Sequence, residues 1–146
     1  MHSSTIRRLG VALVLLLSAC GGDSPAVGDE PILTVNISGT AERSLDVDGD
    51  RVTRLMDVTA DWNEVSVTIA EVAKAAGWSI EGINCVGTGN DVIARKLVDG
   101  RWLLLEAGAG TRGAGLIVSV AADQRPPAEF RVTGRCRLAL ETAAGP

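Results

Sequence analysis

The sequence is poor in aromatic residues and in histidine, and both shortages exclude functions. It contains no tyrosine, one phenylalanine and three tryptophans, and its single histidine is His2. A chain that loses its first residues therefore has no histidine for a catalytic triad, a general base or a metal site. We expect a protein that is not an enzyme and that needs no cofactor.

Basic residues are also in short supply. The chain has 14 basic and 18 acidic residues. Arg7 and Arg8 lie in the first 19 residues, so removal of that segment leaves a net charge near −6. Nucleic-acid binding takes most of its affinity from clustered lysine and arginine. We therefore expect no nucleic-acid partner.

No apolar run is long enough for a permanent membrane span, which takes about 20 residues. The N-terminus instead has Arg7 and Arg8 and then a small and apolar run from Leu9 to Leu17, the pattern of a secretory signal. The next residues, Leu17-Ser18-Ala19-Cys20, resemble the lipobox that the bacterial lipoprotein signal peptidase reads. The resemblance implies that Cys20 is acylated and becomes the mature N-terminus, and plain secretion is the alternative.

The segment after Cys20 is small, polar and interrupted by proline, as expected of a tether. We divide the chain into a lipoprotein signal peptide over residues 1–19, a flexible lipidated tether over 20–31 and one folded domain over 32–146. The lipid on Cys20 would hold the domain to a membrane of the cell envelope. The domain itself would face the periplasm or the outside.

Short apolar segments divided by turn residues predict an all-β domain. Such segments lie at residues 33–38, 65–69, 103–106, 116–120 and 130–140. The pairs Asp48-Gly49 and Asp99-Gly100 suit tight hairpins between strands. We predict a single antiparallel β-sandwich or flattened barrel of about seven to nine short strands, with at most a short helix near 69–76.

Two cysteines remain when Cys20 is acylated, and the envelope permits their oxidation. They are Cys85 and Cys136. Cys136 lies on the apolar side of the predicted last strand, so a bond to Cys85 would cross the core. Closing a loop of about 50 residues would stabilise the fold by roughly 4 kcal/mol. Two buried free thiols are the alternative.

Residues 67–86, VTIAEVAKAAGWSIEGINCV, resemble the helix-turn-helix of the lactose-repressor family. Ala73, Gly77 and Ile83 match its small residue, its turn glycine and its packing residue. The recognition segment would be residues 79–85, which contain a glutamate and a glycine but no arginine or lysine, so we expect no DNA binding. A strand, a turn and a second strand are the favoured interpretation, and a short packed helix is the alternative.

The same region resembles the prealbumin-like β-domains of bacterial surface proteins. In those domains a glutamate strand, a Gly-Trp turn and a cysteine strand follow in order, and a partner cysteine lies on a later strand. The matching residues are Glu71, Gly77, Trp78, Ile80, Ile83, Cys85 and Cys136. The resemblance implies a structural or adhesive surface module with no catalytic residues.

Two further motifs have simple structural explanations. Four aspartates are spaced like calcium ligands: Asp46, Asp48, Asp50 and Asp57. Arg51 occupies the position of the turn glycine in such a loop, so a hairpin without metal is favoured.

Residues 108–113 read GxGxxG, but a strand-like run follows where a dinucleotide site needs a helix, so a loop between strands is favoured.

These features predict a membrane-anchored cell-envelope lipoprotein with a non-catalytic β-domain. The domain would act by binding or structural contact with another envelope component, a protein or a polysaccharide. The alternative is a carrier of a small ligand in a barrel or sandwich cavity. A carrier needs a large apolar interior that side chains do not fill.

Overall fold

The computed structural model describes residues 27–111 and 115–146. Within these residues, the chain forms seven strands and two α-helices. They are β1 (Thr40–Asp48), β2 (Arg51–Val58), α1 (Trp62–Ala75), β3 (Ser79–Val86), β4 (Gly89–Val98), β5 (Arg101–Gly110), β6 (Leu116–Asp123), β7 (Arg131–Gly134) and α2 (Leu138–Ala144). Two 3-10 turns, Val27–Asp29 and Pro31–Leu33, precede β1.

The seven strands form one sheet in the order β1-β2-β6-β5-β4-β3-β7. Neighbouring strands are antiparallel except β3 and β7, which run parallel. The mainly β composition agrees with the prediction, but the antiparallel sandwich or flattened barrel is wrong, because the sheet is single, open and mixed. A sheet must bury its apolar face against a second layer. Here the helical segments supply that layer.

The core lies between the sheet and these helical segments. α1 contacts β3, β4 and β5, α2 contacts α1 and β3, and the two 3-10 turns contact β2 and β6. Ile69 on α1 and Leu105 and Val118 on the sheet are fully buried there. All these segments therefore cover the same face of the sheet.

The chain before β1 is part of this layer. Val27 and Glu30 are buried, so the flexible tether predicted over 20–31 does not extend through its last residues. The strand predicted at 33–38 is replaced by the 3-10 turn that starts at Pro31 and by a loop. Proline fixes its own φ and lacks an N–H, which favours the first position of a helical turn over a strand interior.

α1 is longer than predicted. It has 14 residues, whereas the sequence predicted a strand at 65–69 and at most a short helix near 69–76. The helix begins after Asp61, whose Oδ1 accepts a hydrogen bond from the Asn63 N–H at 2.8 Å. This contact satisfies a backbone donor that the first helical turn leaves without a partner.

The buried face of α1 explains why a strand was favoured. Val65, Ile69 and Ala73 are spaced by four residues and point at the sheet. Val65 and Ile69 fit a period of two as well as one of 3.6. Residues 79–85, the recognition segment of the helix-turn-helix resemblance, form part of β3. The second helix of that motif is therefore replaced by a strand.

The strand predicted from Phe130 to Leu140 is divided into β7 and α2. β7 ends at Gly134, which has a φ of +83°, a conformation that favours glycine. A Cβ on Gly134 would overlap the carbonyl oxygen of Cys85 on the neighbouring strand. Leu140 is buried as part of α2, not as part of a strand.

The predicted hairpins form. Asp48-Gly49 lies at the turn between β1 and β2, and Asp99-Gly100 joins β4 to β5 with φ values of 48° and 78°. The strands predicted at 103–106 and 116–120 lie within β5 and β6. The central part of the sheet is thus the part that the sequence pattern predicted best.

β1 forms one edge of the sheet. A bulge interrupts its pairing with β2 between Glu42 and Ser44, so Arg43 has no partner residue in the ladder. Leu45 and Val47 on the same strand are 50% and 71% exposed. This edge is therefore irregular and carries apolar side chains that the described helices do not cover.

Cys85 and Cys136 form a disulfide, which confirms the predicted pairing. The bond joins β3 to the segment between β7 and α2, and the two Cα atoms are 5.1 Å apart. Cys85 is buried and Cys136 is partly buried. The disulfide therefore ties the last strand and the last helix to the body of the sheet.

Candidate binding face

One face of the sheet carries no helix within the described residues. Side chains alternate along a strand, and the ladder aligns Val92, Ala107 and Val118, which are buried beneath the helices. The alternate residues point to the opposite side, which we call the uncovered face. It includes Arg51, Thr53, Asp91, Ile93, Trp102, Glu106, Gly108, Ile117 and Ser119.

Three adjoining clefts form a trough on the uncovered face. Their volumes are about 440, 240 and 350 Å³. The first two share Asp91, Gly108 and Ile117, and the first and third share Ile93. A Cβ on Gly108 would lie 2.7 Å from Asp91 Oδ1, so glycine leaves room for that carboxylate. The trough crosses the strands from β2 to β7, about 24 Å at about 4.8 Å per strand spacing.

Polar side chains along the trough hold one another in place. Arg51 Nη1 donates hydrogen bonds to Ser119 Oγ at 3.0 Å and to Glu106 Oε2 at 3.3 Å. Asn84 Nδ2 donates to Asp91 Oδ2 at 3.5 Å. About half of the Arg51 and Glu106 side chains remains exposed, 48% and 50%. These groups are therefore ordered and still within reach of a ligand.

A buried arginine fixes one end of the uncovered face. Arg95 is only 4% exposed. Its Nε donates to Glu81 Oε2 at 2.9 Å, and its Nη1 contacts Asp123 Oδ2. The Ala128 N–H donates to the same Glu81 oxygen at 2.9 Å. Arg95 thereby connects β3, β4 and β6 with residues 124–130, which lead from β6 to β7.

Hydrogen bonding keeps both carboxylates of this cluster ionised. Burial acts to raise the pKa of Glu81, but hydrogen bonds from Arg95 and from the Ala128 N–H outweigh it and lower the pKa below its usual value. Arg95 likewise lowers the pKa of Asp123, with help from the Gln124 N–H. The cluster is therefore a fixed charge arrangement at neutral pH.

A separate cleft of about 540 Å³ lies at the rim of the uncovered face, where β5 begins and β6 ends. It is lined by Asp50, Gly100, Arg101, Trp102, Ala122, Asp123 and Gln124. Arg101 Nη2 donates to Asp50 Oδ2 at 2.8 Å, which bridges the two hairpin turns. This cleft combines an aromatic side chain with several fixed polar groups.

The structure does not bring the predicted calcium ligands together. Asp57 pairs with Ala41 at the far end of the β1–β2 hairpin from the turn at Asp50. Asp57 forms an ion pair with Arg43 at 2.8 Å, while Asp50 pairs with Arg101. Residues 27–111 and 115–146 contain no group of three or more histidine, cysteine or acidic side chains placed to hold a metal ion. Asp50 and Asp57 are therefore held apart by separate arginine partners.

The GxGxxG motif starts within a strand, whereas a loop between strands was predicted. Gly108 and Gly110 belong to β5, and β6 starts at Leu116. Gly113 lies outside the described residues. No helix opens after the motif, so the geometry that holds a dinucleotide pyrophosphate is not formed.

The predicted lipidation site Cys20 and the signal peptide lie outside the described residues. Of the residues that match the prealbumin-like domains, Glu71 lies on α1 and not on a strand. Trp78 precedes β3, and Ile83 and Cys85 lie buried on it. The Cys136 that completes the disulfide follows β7.

Sequence reasoning missed the uncovered face because β5 reads as a fully buried strand. Leu103, Leu105 and Ala107 are buried under the helices, while Trp102 and Glu106 point to the other side. The charged Glu106 between the apolar residues Leu105 and Ala107 was the available sign that one face of this strand is open to solvent.

In the described part of the chain, no helix has the length and apolar character that a membrane crossing requires. No protein-family model matches this chain, and no curated protein sequence matches it either.

Proposed function

We propose that this protein is a lipid-anchored component of the bacterial cell envelope that binds another envelope component through its uncovered face, without catalysing a reaction. The trough on that face supports the proposal, because polar side chains are held in fixed positions along it. The N-terminal pattern that ends at Cys20 supports the envelope location and the anchor.

The two faces of the sheet differ in what they offer a partner. One face is already buried beneath the helices, including Val65 and Ile69. The other exposes Ile117 by 43% beside the half-exposed ion pair of Arg51 and Glu106. An apolar floor with a polar rim is the usual composition of a protein binding surface. The uncovered face is therefore the better binding surface.

The carboxylates of the uncovered face support binding more than catalysis. A general acid needs a carboxyl group whose pKa is raised toward neutrality. Glu81 and Asp123 have lowered pKa values because Arg95 donates hydrogen bonds to them. After residue 19 the chain has no histidine to replace them.

The small-ligand carrier loses its structural premise. It required the interior of a barrel or a sandwich, whereas the sheet is open and single. Its covered side is filled by core residues such as Met56, Leu105 and Leu116. The clefts described above open to solvent on the surface.

Site-specific photo-crosslinking in intact cells tests the proposal. A benzophenone amino acid at Thr53, on the uncovered face, should form adducts with another envelope component. The same residue placed at Glu71, exposed on α1, is the matched control and should give none. Adducts should also fall when Ile117→Lys is added to the Thr53 probe. Equal adducts from both positions, or none from Thr53, would contradict the proposal.

A further inference from the structure

The rim cleft contains an apolar platform on an otherwise polar surface. Trp102 is partly buried and pairs across the sheet with Leu97, which is 53% exposed. Trp102 is one of the residues that line a cleft of about 540 Å³. That volume falls within the range of about 300–1,000 Å³ typical of small-molecule sites. Flat aromatic surface and exposed leucine therefore meet at one place on the rim.

Polar groups of both hydrogen-bonding types surround this platform. The Asp50 carboxylate accepts from Arg101 and is still 74% exposed. Asp123 Oδ1 accepts from the Gln124 N–H at 2.6 Å, and Arg95 holds Oδ2. An ionised carboxylate has about four acceptor positions, so the exposed Asp50 retains capacity for a ligand. Asp123 is largely occupied by Arg95 and by the N–H groups of Gln124 and Arg125.

The backbone at this rim is less suited to a peptide strand. The Ala122 N–H already donates to the Asp50 carbonyl oxygen at 3.1 Å. Tight turns at Gly49 and Gly100 close the strand ends. A peptide that binds as an added strand needs free backbone groups along an edge. The recognition groups here are side chains.

We infer that the rim cleft is a binding subsite for a neutral oligosaccharide, with Trp102 as the platform for one sugar ring and with Asp50 and Arg101 as hydrogen-bonding partners of its hydroxyl groups. This inference rests on the proposed binding function and names its partner class. A pyranose ring presents C–H groups on its face, which pack on indole, and hydroxyl groups on its edge.

Charge and order in the cleft favour a neutral sugar. Each carboxylate of the cleft is already paired with arginine, Asp50 with Arg101 and Asp123 with Arg95 and Arg125. The cleft therefore offers no unpaired cation that would favour an acidic glycan. The Asp50–Arg101 ion pair and the contact of Arg95 with Asp123 hold these groups in place before a ligand arrives. Groups that are already ordered lose less conformational entropy on binding.

Tryptophan fluorescence of the full-length protein in detergent tests the inference. The probes are oligomers of β-1,4-linked N-acetylglucosamine, oligomers of mannose and, as the acidic comparison, oligomers of galacturonate. At least one neutral oligomer should produce a saturable change, and galacturonate oligomers should bind more weakly. Trp62→Phe removes a tryptophan on α1 and should leave the response unchanged.

Trp102→Ala removes the reporting indole, so its affinity is measured by titration calorimetry and should be about tenfold weaker through loss of ring packing. Asp50→Asn should weaken the affinity about threefold. Because Asp50 lies exposed in a turn, this variant should fold, and it tests the inference even if Trp102→Ala does not fold. No change with either neutral oligomer, equal binding of galacturonate, or unchanged affinity in Asp50→Asn would overturn the inference.

Crosslinking separates this inference from the proposed function. Adducts at Thr53 without any glycan response would contradict the sugar subsite but still support the proposed binding face. A benzophenone at Trp102 that forms adducts with a protein would assign the rim to a peptide partner and overturn the sugar subsite. The absence of adducts at every position on the uncovered face would contradict the proposed function itself.

Discussion

Buried arginine side chains tie the loops of this protein to its sheet. Arg95 on the uncovered face holds Glu81 and Asp123, and through Glu81 it holds residues 124–130. On the covered face, Arg54 is 7% exposed, and its Nη1 donates to the Val35 carbonyl oxygen at 2.7 Å. A buried charge that loses its partners keeps its desolvation penalty. A single substitution at Arg95 or Arg54 is therefore expected to loosen the loop that the arginine holds to the sheet.

Arg95→Met should lower the free energy of unfolding at pH 7 by about 2 kcal/mol, because two carboxylates lose their charged donor. The pKa values of Glu81 and Asp123 are lowered in the folded state. Their contribution is therefore present above their unfolded pKa values of about 4 and is lost as the pH falls through the lower folded values. Urea unfolding at pH 7 and pH 3 should show a weaker pH dependence in the variant.

Arg51→Met is the matched control for Arg95→Met. Its partner Glu106 is half exposed, so the change should be below about 1 kcal/mol. An Arg95→Met variant as stable as the wild type at pH 7 would contradict the structural role given to this residue.

The helix α1 covers one face of the single sheet, where a sandwich would have a second sheet. Its burial pattern gives the helix a direct mutational test. Ile69→Ala should lower the free energy of unfolding by about 3 kcal/mol, since it empties a fully buried position. Val67→Ala, on a partly exposed position, should cost below about 1 kcal/mol. Equal losses, as expected of one strand face, would contradict the helix. Thermal and urea unfolding measure both.

The disulfide gives a second testable prediction. Cys85→Ala with Cys136→Ala should lower the free energy of unfolding by roughly 2–5 kcal/mol, because the bond closes a long loop. Hydrogen exchange should rise first in β7 and α2, which the bond ties to β3. Mass spectrometry after alkylation without reduction checks the bond itself, and two alkylated thiols would show it to be absent.

Local patterns predicted those elements whose neighbours in the sheet are also neighbours in sequence. The hairpin at Asp99-Gly100 and the strands at 103–106 and 116–120 were predicted because alternation and turn residues act over a few residues. α1 was missed because Val65 and Ile69 suit both periods. The division at Gly134 was missed because its cause, the close approach of Cys85, lies about 50 residues away. The rim cleft joins two turns that no local pattern connects.

The proposed lipid anchor limits the distance between the folded domain and the membrane. Val27 is buried against the sheet, so only the residues from Cys20 to Val27 separate the lipid from the folded part. A fully extended chain spans at most about 3.6 Å per residue, or about 25 Å here. An anchored domain would therefore stay close to the membrane surface, within reach of components bound to it.

Cys20→Ala should abolish acylation and leave uncleaved precursor, because the signal peptidase needs the lipobox cysteine. Metabolic labelling with an acyl analogue and phase separation in detergent measure both effects. Cys136→Ala is a control that alters a cysteine without touching the lipobox and should still be labelled. Equal labelling of Cys20→Ala would exclude the lipid anchor.

The bulge at Arg43 has a consequence for the behaviour of concentrated protein. An edge strand with regular, unpaired backbone groups is a template on which another molecule can extend the sheet. β1 is nine residues long and exposes Leu45 and Val47. The bulge at Arg43 interrupts the regular spacing of its backbone groups. Deletion of Arg43 would straighten this edge, and sedimentation should then show copies joining side by side into fibrous aggregates. We therefore expect the bulge at Arg43 to limit edge-to-edge pairing of crowded molecules.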